Sequence, residues 1–64
     1  MELFKVVVGY TDEHNESHTL GTITLRAKNH TEAVEHGIEE LFDERLRTTG
    51  CSPWAAVEVA DEPN

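Results

Sequence analysis

The sequence predicts an α+β domain in which a three-stranded antiparallel sheet has one helix packed on one face. Three observations predict this class. Two strand-like segments lie near the N-terminus, the first of them rich in β-branched and aromatic residues, a helical repeat of apolar residues follows, and a short apolar segment lies near the C-terminus. The element order is therefore β-β-α-β, and we expect residues 1–64 to form a single small acidic domain.

The first two strands are predicted to form a hairpin. Leu3 to Thr11 and Thr19 to Ala27 are the strand segments, and Asp12 to His18 between them has no apolar residue, which is typical of a loop. Alternation along the first strand favours one face as the core, made of Phe4, Val6, Val8 and Tyr10.

A single helix is predicted after the hairpin. Asn29 can cap it, and Glu32 completes a variant of the capping box. Gly50 is predicted to end it. Gly37 falls on the apolar face, so we expect the helix to cross close to the sheet there. The residues of that face are Ala33, Val34, Gly37, Ile38, Leu41 and Phe42.

A third strand is predicted from Trp54 to Ala60, after a turn at Ser52 and Pro53. Val57 and Val59 are expected to point inward. The first strand is the most apolar, so it is predicted in the middle, which gives the strand order 2-1-3 with antiparallel neighbours.

One helix can cover only one face of this sheet. We call the uncovered side the open sheet face, and it is predicted to include Leu3, Val7 and Leu20. An exposed apolar patch usually marks a contact with a partner. These residues are therefore a candidate partner-binding or homodimer surface.

The charge of the chain is strongly acidic, with 13 Asp and Glu against 5 Lys and Arg and a formal net charge of −8. Such a chain is not expected to bind nucleic acid directly, because phosphate contacts require Lys and Arg. Anionic membrane surfaces should repel it, and no apolar run approaches the roughly 20 residues that span a bilayer. We expect attraction to basic protein surfaces, including nucleic-acid-binding grooves, with solubility alone as the alternative explanation.

The predicted helix carries an acidic stripe, formed by Glu32, Glu35, Glu39 and Asp43. Helical residues three or four positions apart are about 5–6 Å from each other, close to the spacing of phosphates along a strand. The stripe is a candidate partner-binding surface that imitates a nucleic-acid backbone. The alternative is an ordinary solvated helix face.

No catalytic site is predicted, since the sequence has no phosphate loop, nucleophile elbow or dinucleotide fingerprint. His14 and His18 lie with Asp12, Glu13 and Glu16 in one loop, and these side chains can bind zinc or nickel. Loop ligands without cysteine are a weak signal, so the sequence favours a solvated hairpin and predicts neither metal nor cofactor. A single cysteine and no secretory signal predict a cytoplasmic location.

The layout resembles that of small bacteriophage host-takeover proteins, in particular the short T7-type inhibitors of bacterial RNA polymerase. The matching stretches are residues 27–33, which enter the helix, and Val57 to Val59, which lead toward Pro63. Those inhibitors carry arginines in the last strand, where this chain has Glu58 and then Asp61. No functional residue is therefore transferred from the resemblance.

These observations together predict a non-enzymatic protein-interaction module. The resemblance implies a phage-encoded inhibitor or modulator that acts in the host cytoplasm on a basic surface of a host protein such as RNA polymerase. Two alternatives stay open: a small metal- or ligand-binding regulatory domain that uses the His14 and His18 loop, and a structural subunit that dimerises through the open sheet face.

Overall fold

A computed structural model describes residues 1–60 and confirms the predicted α+β class. The elements are β1 (Glu2–Thr11), β2 (Ser17–Ala27), α1 (His30–Leu41), α2 (Glu44–Thr48) and β3 (Ser52–Val59). The sheet order is β2-β1-β3 with both pairs antiparallel, as predicted. Asp61 and Pro63, which entered the resemblance above, lie outside the described residues.

The core lies between the central strand and α1. Phe4, Val6 and Val8 of β1 are buried, and they form one cluster with Ala27 and Ala33. Partly buried side chains from the two outer strands and from α1 pack around this cluster; they are Ile23, Leu25, Ile38, Leu41, Ala55 and Val57. The predicted inward face of β1 is thus confirmed over its first half.

The close approach of α1 to the sheet at Gly37 is also confirmed. A Cβ atom built on Gly37 would lie 2.7 Å from Cγ1 of Val6 and 3.3 Å from Cγ2 of Val8. Ordinary van der Waals contact requires more space than this. Glycine therefore allows the helix backbone to lie directly against the valines of the central strand.

The predicted single helix from Asn29 to Gly50 is wrong in its second half, because α1 ends at Leu41. Phe42 is extended at the helix C-terminus and buried, and its N–H donates to the Ile38 carbonyl over 2.8 Å. A continuous helix would place Arg45 on the apolar face, whereas the break leaves Arg45 exposed. Neither helix of residues 1–60 is long and apolar enough to cross a membrane.

The connection between α2 and β3 is shorter than predicted, because β3 begins at Ser52. Gly50 follows α2 with φ at 83°, a left-handed conformation that glycine adopts readily. Ser52 and Pro53 were predicted to form a turn, but both lie in β3 and pair with Thr11 and Tyr10. Proline is tolerated there because β3 is an edge strand.

The sheet is longer than the helix that covers it. Twelve residues of α1 span about 18 Å, whereas ten residues of β1 span about 33 Å. Tyr10, predicted in the core, is only partly buried and stacks on His18. Val59, predicted to point inward, shares its register position with Phe4 but is 53% exposed. The prediction of burial is therefore wrong for Val59.

Candidate functional site

The acidic stripe of the sequence lies mainly on α1, whose start is fixed by a side-chain cap. Oδ1 of Asn29 accepts a hydrogen bond from the backbone N–H of Glu32 over 2.9 Å. Glu35 and Glu39 are exposed and Glu32 is partly buried. Ala33 and Gly37 are buried, so α1 presents these three carboxylates away from the sheet.

The charged residues of α1 are all acidic apart from two histidines, His30 and His36. The helix contains Glu32, Glu35, Glu39 and Glu40 but no Lys or Arg. The Lys and Arg ion pairs described among residues 1–60 join Lys5 to Glu58 and Arg45 to Asp43, and neither pair includes a carboxylate of α1. The outer face of α1 therefore carries carboxylates without a Lys or Arg on the same helix.

Asp43 does not belong to this surface, which corrects the predicted stripe of four. It caps α2, where Oδ1 accepts from the backbone N–H of Arg45 over 3.0 Å. Its Oδ2 is 3.2 Å from the Arg45 guanidinium. The Arg45 backbone N–H first, and then the Arg45 side chain, lower the pKa of Asp43. We call the remaining set, Glu32, Glu35 and Glu39, the α1 acidic face.

The open sheet face is present, and Leu3 and Val7 lie on it, both partly buried. It is the side of the sheet opposite the buried Phe4, Val6 and Val8. Nζ of Lys5 lies 3.7 Å from Oε1 of Glu58 on the neighbouring strand. This pair borders a shallow depression lined by Val7 and Ala56. The face thus mixes apolar and charged groups.

Trp54 is a prominent residue of the open sheet face that the sequence reasoning missed. It pairs with Gly9 across β1 and β3, and a Cβ atom on Gly9 would clash with the Trp54 indole. Nε1 of Trp54 is buried and has no hydrogen-bond partner among the described residues. Gly9 is the sequence feature that could have indicated this contact, because a glycine inside a strand often marks the close approach of another group.

Leu20 does not lie on the open sheet face with Leu3 and Val7, and this part of the prediction is wrong. The register of β1 with β2 shifts after Val8, so that Val8 pairs with Gly21 and Gly9 with Thr19. Leu20 is the extra residue of this β-bulge. It lines a groove beside the helices with other residues, namely Leu41, Asp43, Arg45, Leu46 and Thr49.

The end of the hairpin brings together part of the predicted histidine and carboxylate loop. Nε2 of His18 lies 2.7 Å from Oδ2 of Asp12, and Glu16 offers a carboxylate oxygen nearby. His14 is not a member of this group, since its imidazole faces Glu13 at 3.7 Å. The two histidines of the loop are therefore separated.

Asp12 organises the turn through both of its carboxylate oxygens. Oδ1 accepts from the backbone N–H groups of Glu16 and His14, each over 2.9 Å, while Oδ2 meets His18. The Glu16 backbone N–H first, and then the His18 side chain, lower the pKa of Asp12. Asn15 adopts a left-handed conformation with φ at 63°, which closes the turn.

Comparisons with known proteins add no relative to these observations. No protein-family model matches the chain, and no curated protein and no solved structure matches it. Functional inference therefore depends on the surfaces described above.

Proposed function

We propose that the chain is a non-enzymatic protein-binding module whose α1 acidic face docks on a basic surface of a partner protein. The arrangement of the negative charges on α1, rather than the net charge of the chain, supports this proposal. Glu32, Glu35 and Glu39 share one side of a helix that has no Lys or Arg of its own. Ion pairing with a basic partner would supply the compensation that α1 itself does not provide for them.

The observation that carries this proposal is the placement of Glu39, a member of the α1 acidic face, in the last turn of α1. Carboxylates there lie at the negative end of the helix dipole, and this turn has no basic residue. Glu35 and Glu39 are also four positions apart, where like charges repel each other. Each effect destabilises a helix by a few tenths of a kcal/mol or more. A merely solvated face would be more stable with lysine at one of these positions.

The spacing of the carboxylates suggests the kind of partner. Residues three or four positions apart on a helix are about 5–6 Å apart, near the phosphate spacing of a nucleic-acid strand. A groove that binds nucleic acid presents Lys and Arg at matching intervals. The proposed partner is therefore a nucleic-acid-binding protein, and the layout shared with small phage inhibitors makes bacterial RNA polymerase the first candidate.

Capture from a bacterial lysate with heparin as a competitor tests this proposal. The protein is immobilised, bound proteins are identified, and heparin or duplex DNA is added to displace them. If the α1 acidic face occupies a nucleic-acid-binding groove, these polyanions should release the partner. Captured proteins that remain bound would be held through another surface, such as the open sheet face.

A matched pair of variants separates the position of charge from its amount. Glu35→Gln with Glu39→Gln changes the α1 acidic face, whereas Glu2→Gln with Glu13→Gln changes exposed residues elsewhere. Both variants lose two negative charges, and Glu to Gln changes helix propensity little. The first variant should lose the polyanion-sensitive partner and the second should retain it. Equal capture by both would reject the α1 acidic face as the binding surface.

A further inference from the structure

The hairpin end contains a second group of side chains whose chemistry is independent of α1. Asp12, Glu16 and His18 each offer one donor atom, and these three atoms all lie within 4.8 Å of one another. Ligands bound about 2.0–2.2 Å from one zinc ion are roughly 3 Å or more apart. The carboxylate of Asp12 and the imidazole of His18 are hydrogen-bonded over 2.7 Å, so a bound ion would replace this hydrogen bond and move the two atoms slightly apart. The side chain of Glu16 is exposed and has to approach the other two donors.

Two of the three donors are oriented by contacts that need no ion. Two backbone N–H groups of the turn hold Oδ1 of Asp12, so Oδ2 remains directed at His18. The imidazole of His18 stacks on the Tyr10 ring, with 4.9 Å between ring centroids and 23° between planes. Both Tyr10 and His18 lie in paired strands. Donors that are fixed before binding lose less conformational freedom when a ligand arrives.

The donor types favour a transition metal over calcium or magnesium. Calcium and magnesium prefer oxygen ligands throughout, whereas imidazole suits zinc, nickel and cobalt. Two carboxylates supply two negative charges, which balance a divalent cation. The site is open to solvent, since 42% of the His18 side chain and 19% of the Asp12 side chain are exposed.

We propose that Asp12, Glu16 and His18 form a binding site for one divalent transition-metal ion, with water in the remaining coordination positions. His14, which sequence analysis grouped with His18, is not a ligand of this site, because it lies against Glu13. The site differs from the sequence-based expectation of no metal because folding brings Asp12 and His18, six residues apart, into contact.

Calorimetric titration with zinc chloride alone tests the site. The full chain should bind one zinc ion. Glu16→Gln removes one ligand and leaves the Asp12 and His18 contact in place, and it should weaken binding at least about tenfold, as the loss even of outer-shell support can do. His18→Ala should abolish stoichiometric binding. His14→Ala is the matched control in the same loop, and its dissociation constant should equal that of the unchanged protein.

A spectroscopic readout distinguishes the site from scattered binding by exposed imidazoles. Paramagnetic nickel should broaden the ring resonances of His18 and Tyr10 in NMR spectra before those of His30 and His36 on α1. The proposal is overturned if the zinc titration shows no saturable heat change of either sign, if His14→Ala weakens binding as much as His18→Ala, or if all four histidines broaden together. Asp12 and His18 would then be a hydrogen-bonded hairpin pair only, and the proposal for α1 would be unaffected.

Discussion

Replacing Gly37 by alanine tests the packing of α1 on the sheet. In an exposed helix interior, this change stabilises a protein by about 1 kcal/mol because alanine has the higher helix propensity. Gly37 is buried, however, and a Cβ atom there would lie 2.7 Å from Cγ1 of Val6. Val6 has no exposed surface, and its branched side chain has few alternative rotamers. The added methyl group therefore has to displace the helix or the strand.

The expected effect follows from the two opposing contributions. Overpacking of a well-packed core costs about 1–3 kcal/mol, against a propensity gain of about 1 kcal/mol. Gly37→Ala should therefore lower the free energy of unfolding by up to about 2 kcal/mol. That is a large part of the roughly 3–10 kcal/mol expected for a domain of this length. Urea unfolding followed by circular dichroism measures the change.

Repeating Gly37→Ala in a Val6→Ala variant tests whether its effect arises from the contact with Val6. Val6→Ala removes both γ carbons and with them the 2.7 Å contact, so alanine at position 37 should be less destabilising there, against the remaining 3.3 Å approach to Cγ2 of Val8. The two substitutions should be coupled by about 1–3 kcal/mol in a double-mutant cycle. If Gly37→Ala stabilises the domain equally in both backgrounds, α1 does not approach the sheet at Gly37, and the packing described above is wrong.

Two further predictions concern the carboxylates of the turns. The pKa of Asp12 is lower in the folded protein than the ordinary value of an aspartate, so its contribution to stability is present above that ordinary value and is lost as the pH falls through the folded pKa. Asp12→Asn should therefore make the thermal midpoint fall less steeply as the pH is lowered below about 4, and an unchanged slope would contradict this assignment. Asp43→Ala removes the cap of α2 and should cost about 1 kcal/mol in urea unfolding, whereas no loss would show that the cap is dispensable.

The strand order and the buried side of the sheet were predictable because they follow from the spacing of apolar residues. Alternation in β1 identifies Phe4, Val6 and Val8, and the period of α1 places Gly37 against them. The alternation in β1 and the helical period of α1 both depend directly on which side chains are buried. The extent of burial was less predictable, because Val59 lies on the correct side of an edge strand that the short helix does not cover.

The features that escaped prediction depend on local hydrogen bonds and on a change of register. Asp43 followed by Glu44 is an N-cap signature that indicates a second helix, but continued apolar spacing through Phe42 obscured it. The bulge at Leu20 interrupts the alternation of side chains between the two faces of β2. Leucine at this position gives no indication of a bulge in the sequence. The contact of Asp12 with His18 likewise requires the closed turn, which the sequence of the loop does not specify.

The most direct test of the central claim is the affinity of the two double-charge variants for the captured partner at matched ionic strength. Fluorescence anisotropy gives both dissociation constants, and circular dichroism verifies that each variant is folded. The account predicts at least about tenfold weaker binding, or 1.4 kcal/mol, for Glu35→Gln with Glu39→Gln. Glu2→Gln with Glu13→Gln should bind as the unchanged protein does. Equal losses in the two variants would show that total charge, rather than the α1 acidic face, drives the association.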